Sequence, residues 1–286
     1  MNKKQMGSRI SRLFTGRDAS GEQGGPFGED TQGRRVGNAS PEGELSPETA
    51  RGSFPLVGAG GGSAEEWHHK GVALGILGKH AEAIACFDEA LRISPRFSGA
   101  WHNKGVALEN MGRHEEAVSC LDAALRLDPV DAEAWYNKGV ALESLGKDEN
   151  ALSCYETALG IDPSQPAPWA NKGALLVHQG KHAEAIACFD EALRISPRFS
   201  NAWYNKGVAL GNLGRHEEAV KCFDEVLRIA PRFSYAWYNK GVALGTLGRH
   251  EEALLCFEKE LRINPRHAET LRNLPVALRS AAINRK

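Results

Sequence analysis

The residues of this chain that could do chemistry recur at one spacing. All six cysteines, Cys86, Cys120, Cys154, Cys188, Cys222 and Cys256, stand 34 residues apart. Five histidines, His80, His114, His182, His216 and His250, each precede a cysteine by six residues. Thiols beside imidazoles suggest zinc, a disulfide or redox chemistry. The spacing argues against all three. A chelating pair on a helix sits three or four residues apart, on one face, and six is not such a spacing. None of the zinc-ligand patterns occurs. Copies of one position in stacked helices lie about 10 Å apart per layer, and a disulfide needs Cα atoms within about 7 Å. The cysteines therefore read as small packing residues, and no metal or cofactor is expected.

Other chemistry is equally thin. There is no G-x-S-x-G, no phosphate-binding loop and no G-x-G-x-x-G after a strand. Gly60-Gly61-Gly62 follows no strand pattern and reads as linker. Acid pairs such as Glu115-Glu116 and Glu217-Glu218 open helices, where negative charge suits the dipole. A lysine column, Lys70, Lys104, Lys138, Lys172, Lys206 and Lys240, is the least ordinary feature. It could offer charge to an acidic ligand. The favoured reading is structural: the stems cover apolar surface while the ammonium reaches an acid such as Asp88 or Asp224.

The elements that carry these columns follow from the period. The six tryptophans, Trp67 to Trp237, keep the same 34-residue step. So do Gly71 to Gly241, Gly78 to Gly248, Ala83 to Ala253 and Pro95 to Pro265. Within a unit, AWYNKGVALGNLG (202–214) reads as a helix closed by a C-cap glycine. EEAVKCFDEVLRIAP (217–231) reads as a second, with Ala219, Phe223 and Leu227 at helical spacing and Pro231 as its stop. Small Gly207 and Ala219 let the pair approach, and Trp203 and Phe223 supply bulk. One hairpin cannot cover its own apolar face, but stacking the next one does.

The order Trp67, Gly71, Ala83, Phe87, Ala90, Pro95 resembles the tetratricopeptide repeat, and six consecutive matches span residues 64–267. The resemblance implies an all-α, right-handed superhelical solenoid of six helix-turn-helix hairpins: 64–97, 98–131, 132–165, 166–199, 200–233 and 234–267. Residues 268–286 are expected to form a capping helix and a basic tail, with a kink or break at Pro275. Three positions depart from the pattern: Lys70 to Lys240 replace a leucine, Leu74 to Leu244 an aromatic, and Glu260 a small residue. KHAEAIACFDEALRISPRFS occurs at 79–98 and again at 181–200, which marks a duplicated block.

Residues 1–63 hold fourteen glycines and no helical period, a composition expected to stay disordered. Met6, Ile10, Leu13 and Phe14 share a helical face among basic residues, so weak membrane-surface contact through residues 1–17 is a second reading. The formal net charge of −1 disfavours nucleic-acid binding. No apolar run is long enough to span a bilayer, and no secretory leader is recognisable. A cytoplasmic location is the expectation.

In the family the resemblance names, the first helix of each hairpin lines a concave groove. The second, fifth, ninth, twelfth and thirteenth positions are then expected to face a ligand. The fifth gives His68, His102, Tyr136, Tyr204 and Tyr238, but Ala170 in the fourth hairpin. Val72, Val106, Val140, Val208 and Val242 occupy the ninth, with Tyr235 at a second position and Asn212 at a thirteenth. Tyr204, Val208, Tyr238 and Val242 are expected to be the hottest part. The chaperone-tail clamp needs Lys and Asn at the fifth and ninth positions and is not formed. The function expected is a non-enzymatic scaffold binding a protein or peptide segment. A membrane-associated accessory subunit docking through its basic tail is the alternative, and an enzyme using the cysteine and histidine columns the third reading. The sequence leaves the oligomeric state open.

Overall fold

The computed structural model describes residues 62–284, and among them there are thirteen helices and no strand. Residues 1–17, with the membrane-contact reading, lie outside the described part. In the first unit, which ends at Pro168, the helices are α1 (Ala64–Ile76), α2 (His80–Ile93), α3 (Ser98–Asn110), α4 (His114–Leu127), α5 (Ala132–Ser144) and α6 (Asp148–Ile161). The second unit starts at Trp169 within α7 (Pro166–His178). It continues with α8 (His182–Ile195), α9 (Ser200–Asn212), α10 (His216–Ile229), α11 (Ser234–Thr246), α12 (His250–Ile263) and α13 (Ala268–Asn284). In each unit consecutive helices pack as antiparallel hairpins, and each hairpin packs on the next.

Local causes are visible at the ends. At the start of α1, Ser63 Oγ accepts from the Glu66 amide at 3.2 Å and the Glu66 carboxylate accepts from the Ser63 amide at 3.1 Å, a reciprocal cap. The odd-numbered helices α1 to α11 each close on a glycine, such as Gly214 with φ +77°, which a side chain would strain. The helix after each such turn has no side-chain cap. Instead Arg215 grips Glu218 through two 2.7 Å bonds in its first turn, and Arg113 and Arg249 repeat this with Glu116 and Glu252.

Helix pairing turns on one close approach. A Cβ added to Gly207 would lie 2.7 Å from Phe223 Cε1, closer than real carbons come, so only glycine admits the buried ring. The tryptophans hold the loops before them: Nε1 of Trp101, Trp135, Trp203 and Trp237 each donates to a proline carbonyl at 3.0 Å.

Four lysines of the column are paired with acids of the preceding hairpin. Lys104 reaches Asp88 at 2.6 Å and Lys138 reaches Asp122 at 2.7 Å in the first unit. Lys206–Asp190 and Lys240–Asp224, both 2.5 Å, repeat the pair in the second. Each of these ammoniums also lies over its own tryptophan, 4.9 to 5.7 Å from the ring centroid. Cation–π contacts add roughly 0.5–1 kcal/mol each at partly exposed sites. Every cysteine is buried, and desolvation pushes the thiols of Cys86, Cys120, Cys154, Cys222 and Cys256 up, to about 11 at the last two, which favours the protonated form.

Two expectations at the C-terminal end are revised or extended. α13 runs as one helix through Pro275, so the expected break is not there. Pro275 is exposed, where water can take the carbonyl left without its N–H partner. Glu260 occupies the slot filled elsewhere by Ala90, Ala124, Ala192 or Val226 and is 0% exposed. Ser234 Oγ donates to it at 3.3 Å, and His267 Nδ1 lies 3.2 Å away. Burial, opposed by these partners, holds its carboxyl above the usual range.

Candidate functional site

The expected ligand-facing residues lie on the first helix of each hairpin. In the first unit they lie on α1, α3 and α5, and neighbouring members of that set touch. His68 on α1 is half-buried, and its Nε2 lies 2.9 Å from Asn103 Nδ2 on α3. His102 on α3 makes the same contact with Asn137 Nδ2 on α5 at 3.0 Å, while its Nδ1 meets Asp131 at 3.1 Å. Asp131 also caps α5 by accepting from the Ala134 amide at 2.9 Å. Its carboxyl is lowered: desolvation acts to raise it, and hydrogen bonds from His102 and the Ala134 amide prevail. Tyr136 is buried, its ring 5.9 Å from that of Tyr155. Val72, Val106 and Val140 remain half-buried.

In the second unit tyrosine takes the place of histidine. Tyr204 Oη accepts from Asn239 Nδ2 at 2.9 Å, and Tyr238 Oη accepts from Asn273 Nδ2 at 3.1 Å. These rings are 7% and 5% exposed, so they are mostly occupied by packing between hairpins. Each is the middle member of three rings. Tyr204 lies 6.0 Å from Phe223 and 5.0 Å from Phe233. Tyr238 lies 6.2 Å from Phe257 and 4.9 Å from His267, which also meets Tyr235 edge-on at 5.7 Å. Burial pushes both phenols above their ordinary range, so they stay protonated.

The expected set is therefore of two kinds. Tyr136, Tyr204, Tyr238, His102 and Val242 are buried. His68, Val72, Val106, Val140, Val208, Asn212 and Tyr235 keep partial exposure. Two of these hold a buried polar atom with no hydrogen-bond partner, His68 at Nδ1 and Asn212 at Oδ1. Val208 lies between Asn205 and Asn212 on one face of α9, at i, i+3 and i+7.

The asparagine column was the part that spacing alone missed. Its signal is an offset of 35 residues, joining the fifth position of one hairpin to the sixth of the next. No group of three or more His, Cys, Asp or Glu suited to a metal occurs among the described residues. No described helix is long and apolar enough to cross a membrane.

Models described as tetratricopeptide repeat match residues 102–166, and 64–97, 200–233 and 234–267; one described as TPR repeat matches 173–214. Among solved structures, YrrB, described as a TPR protein with an unusual peptide-binding site, is 25% identical at a TM-score of 0.57. That match covers 65% of this chain and 96% of YrrB. An APC/C hetero-tetramer, Cut9-Hcn1, is similar at 19% identity and TM-score 0.66, over 76% of this chain and 43% of its own. MamA from Desulfovibrio magneticus RS-1 is similar at 20% identity and TM-score 0.55, over 60% of this chain and 97% of that one. The last two show the fold alone. No curated protein matches the chain.

Proposed function

Because the chain belongs to the tetratricopeptide repeat family, we propose that it is a scaffold that binds a peptide or protein segment on the first-helix faces of its hairpins. The observation that carries this reading is on α9. A half-buried Val208 sits there between two carboxamides, and Asn212 Oδ1 is buried without a partner. Buried polar atoms are nearly always paired, with protein or with water, and in this reading the partner of Asn212 Oδ1 comes from the ligand. A peptide N–H has the right chemistry. The peptide-binding site of YrrB agrees with this use of the fold, although fold alone does not fix function. No nucleophile, base or metal set is required for such binding, and we assign the chain no reaction.

Affinity capture with the full chain, beside Val208→Lys and Asn212→Ala variants, tests the reading. Val208 is half-buried at the edge of the core, so circular dichroism of the lysine variant checks that it folds. Proteins held by the wild type and lost from both variants place the ligand on α9. Proteins held equally by all three move the site elsewhere and remove the proposal.

A further inference from the structure

The fourth hairpin lacks the ring that its neighbours carry. Where His68, Tyr204 and Tyr238 stand in the other hairpins, it has Ala170, and the valine one turn on is Ala174. In those hairpins the ring lies between two others and binds the next asparagine. His68, for example, is 5.8 Å from Phe87 and 4.7 Å from Phe97. At Ala170 the two outer rings are present as Phe189 and Phe199, with no third between them. Neither makes a ring contact among the described residues, and Phe199 packs at the edge of the buried cluster that holds Ala170 and Phe189. The asparagine is present too. Asn205 occupies the position of Asn103, Asn239 and Asn273, but its carboxamide has no hydrogen-bond partner among the described residues. Two turns further along α9, Asn212 Oδ1 is also unpaired.

We propose that Ala170, Phe189, Phe199 and Asn205 form a receptor for a tyrosine side chain of a partner protein. The partner's ring takes the middle place of the stack, and its hydroxyl oxygen accepts from Asn205 Nδ2, as Tyr204 Oη accepts from Asn239. Ala170 is only 5% exposed, so Phe199, half-buried at the rim, turns aside to admit the ring. The seven residues from Asn205 to Asn212 span about 10 Å of helix. A backbone N–H of the same segment, about three extended residues away, reaches Asn212 Oδ1 at that distance. The chemistry selects tyrosine over phenylalanine, because only the hydroxyl satisfies the amide. It deepens the scaffold reading and rests on it for which face a partner meets.

The test uses the full chain with p-cresol as the tyrosine side chain and toluene as that of phenylalanine, followed by NMR shifts of the Asn205 side-chain amide. p-Cresol is expected to bind, and toluene about fivefold more weakly, the value of one neutral hydrogen bond. Asn205→Ala should abolish that preference while leaving both bound. Ala170→Tyr, the residue the chain itself uses in hairpins three, five and six, should fill the place, abolish both and raise the urea midpoint. Binding of p-cresol undiminished in Ala170→Tyr, toluene bound as well as p-cresol, or neither bound overturns the proposal. A lowered midpoint for Ala170→Tyr does so too, because it means there is no room for the ring. None of these outcomes touches the α9 capture experiment, so the wider scaffold reading fails or stands separately.

Discussion

Two regions of this molecule solve one problem with different chemistry. Each must fix the register between a hairpin and the next, and each does so by giving an asparagine amide an acceptor. Residues 62–168 use imidazole in two of three hairpins, His68 to Asn103 and His102 to Asn137, and carry a tyrosine, Tyr136, in the third. Residues 169–284 use phenol, Tyr204 to Asn239 and Tyr238 to Asn273. A phenol oxygen accepts at any ordinary pH. A ring nitrogen accepts only while it holds its lone pair, so the first arrangement depends on histidine staying neutral. Burial, with His69 nearby, holds the His68 imidazolium below its ordinary 6.5. The native state therefore binds that proton more weakly than the unfolded chain. Its contribution to stability is present above that value and is lost as pH falls. The tyrosine arrangement also buries more ring. A solenoid thus has latitude in which acceptor it uses, and the choice decides what each region responds to.

The largest expected break in the comparison is truncation. Tyr204→Ala should cost about 3 kcal/mol, as for other buried aromatics, and His68→Ala about 1 kcal/mol, since that ring is half-buried. Urea unfolding followed by circular dichroism measures both, and equal losses would mean that the two arrangements carry equal weight. Next comes Glu260, the one carboxylate among the buried side chains of the second region. Its folded carboxyl is raised, so the native state binds the proton more tightly than the unfolded chain. Stability from this group is fully present below its ordinary 4.5 and is lost as pH rises through the raised value. Glu260→Gln should therefore gain on the wild type as pH rises, by about 1 kcal/mol near neutrality. A gain that grows toward acid instead would reverse the assignment. Third is an exchange, Tyr204→His. Burial should depress the new imidazole as it does His68, making the variant lose about 1 kcal/mol more than the wild type on mild acidification. His182 and His216 are also lowered by burial, so only the difference between variant and wild type isolates the exchanged ring.

How much of this the sequence showed depends on how local each cause is. The hairpins were legible because their causes repeat within 34 residues: Gly207 opposite Phe223, Gly214 at a positive φ, Pro231 after the last turn. The acids that take up the lysines were legible as well, since Asp88 and Asp224 are within reach of Lys104 and Lys240 once the helices are paired. Burial depth was not. Helical period puts Tyr204 on the ligand-facing side, but only the third dimension shows Phe223 and Phe233 on either side of it. The asparagine contacts were hidden for a related reason. Each joins two repeats, and within any one repeat Asn103 or Asn239 is an ordinary polar residue. Glu260 was visible as an anomaly, yet the groups around it, Ser234 and His267, come from two further segments. Pro275 misled because a proline in a helix is costly when its neighbour carbonyl is buried, and here the residue is exposed.

The smallest effect is the most discriminating, because it separates one position from its own copies. Asn239→Ala removes the donor to Tyr204 Oη and leaves a buried phenol without its partner. That should cost about 1 kcal/mol, the usual net value of a neutral hydrogen bond with some desolvation added. Asn205→Ala changes the same residue type at the same helical position. There the carboxamide has no partner to lose, because Ala170 offers no acceptor. Its cost should stay within about 0.5 kcal/mol, the range of substitutions that break no specific contact. The two variants share helix propensity and degree of burial, so those terms cancel in the difference. What remains is the acceptor alone. If Asn205→Ala proves as costly as Asn239→Ala, the carboxamide at 205 is bonded in the free chain and has nothing to offer a partner. If the gap holds, adding Ala170→Tyr should bring Asn205→Ala up to the cost seen at 239, because the added phenol supplies the missing acceptor. A coupling of about 1 kcal/mol in that double-mutant cycle would assign the whole difference between the fourth hairpin and its neighbours to one absent ring.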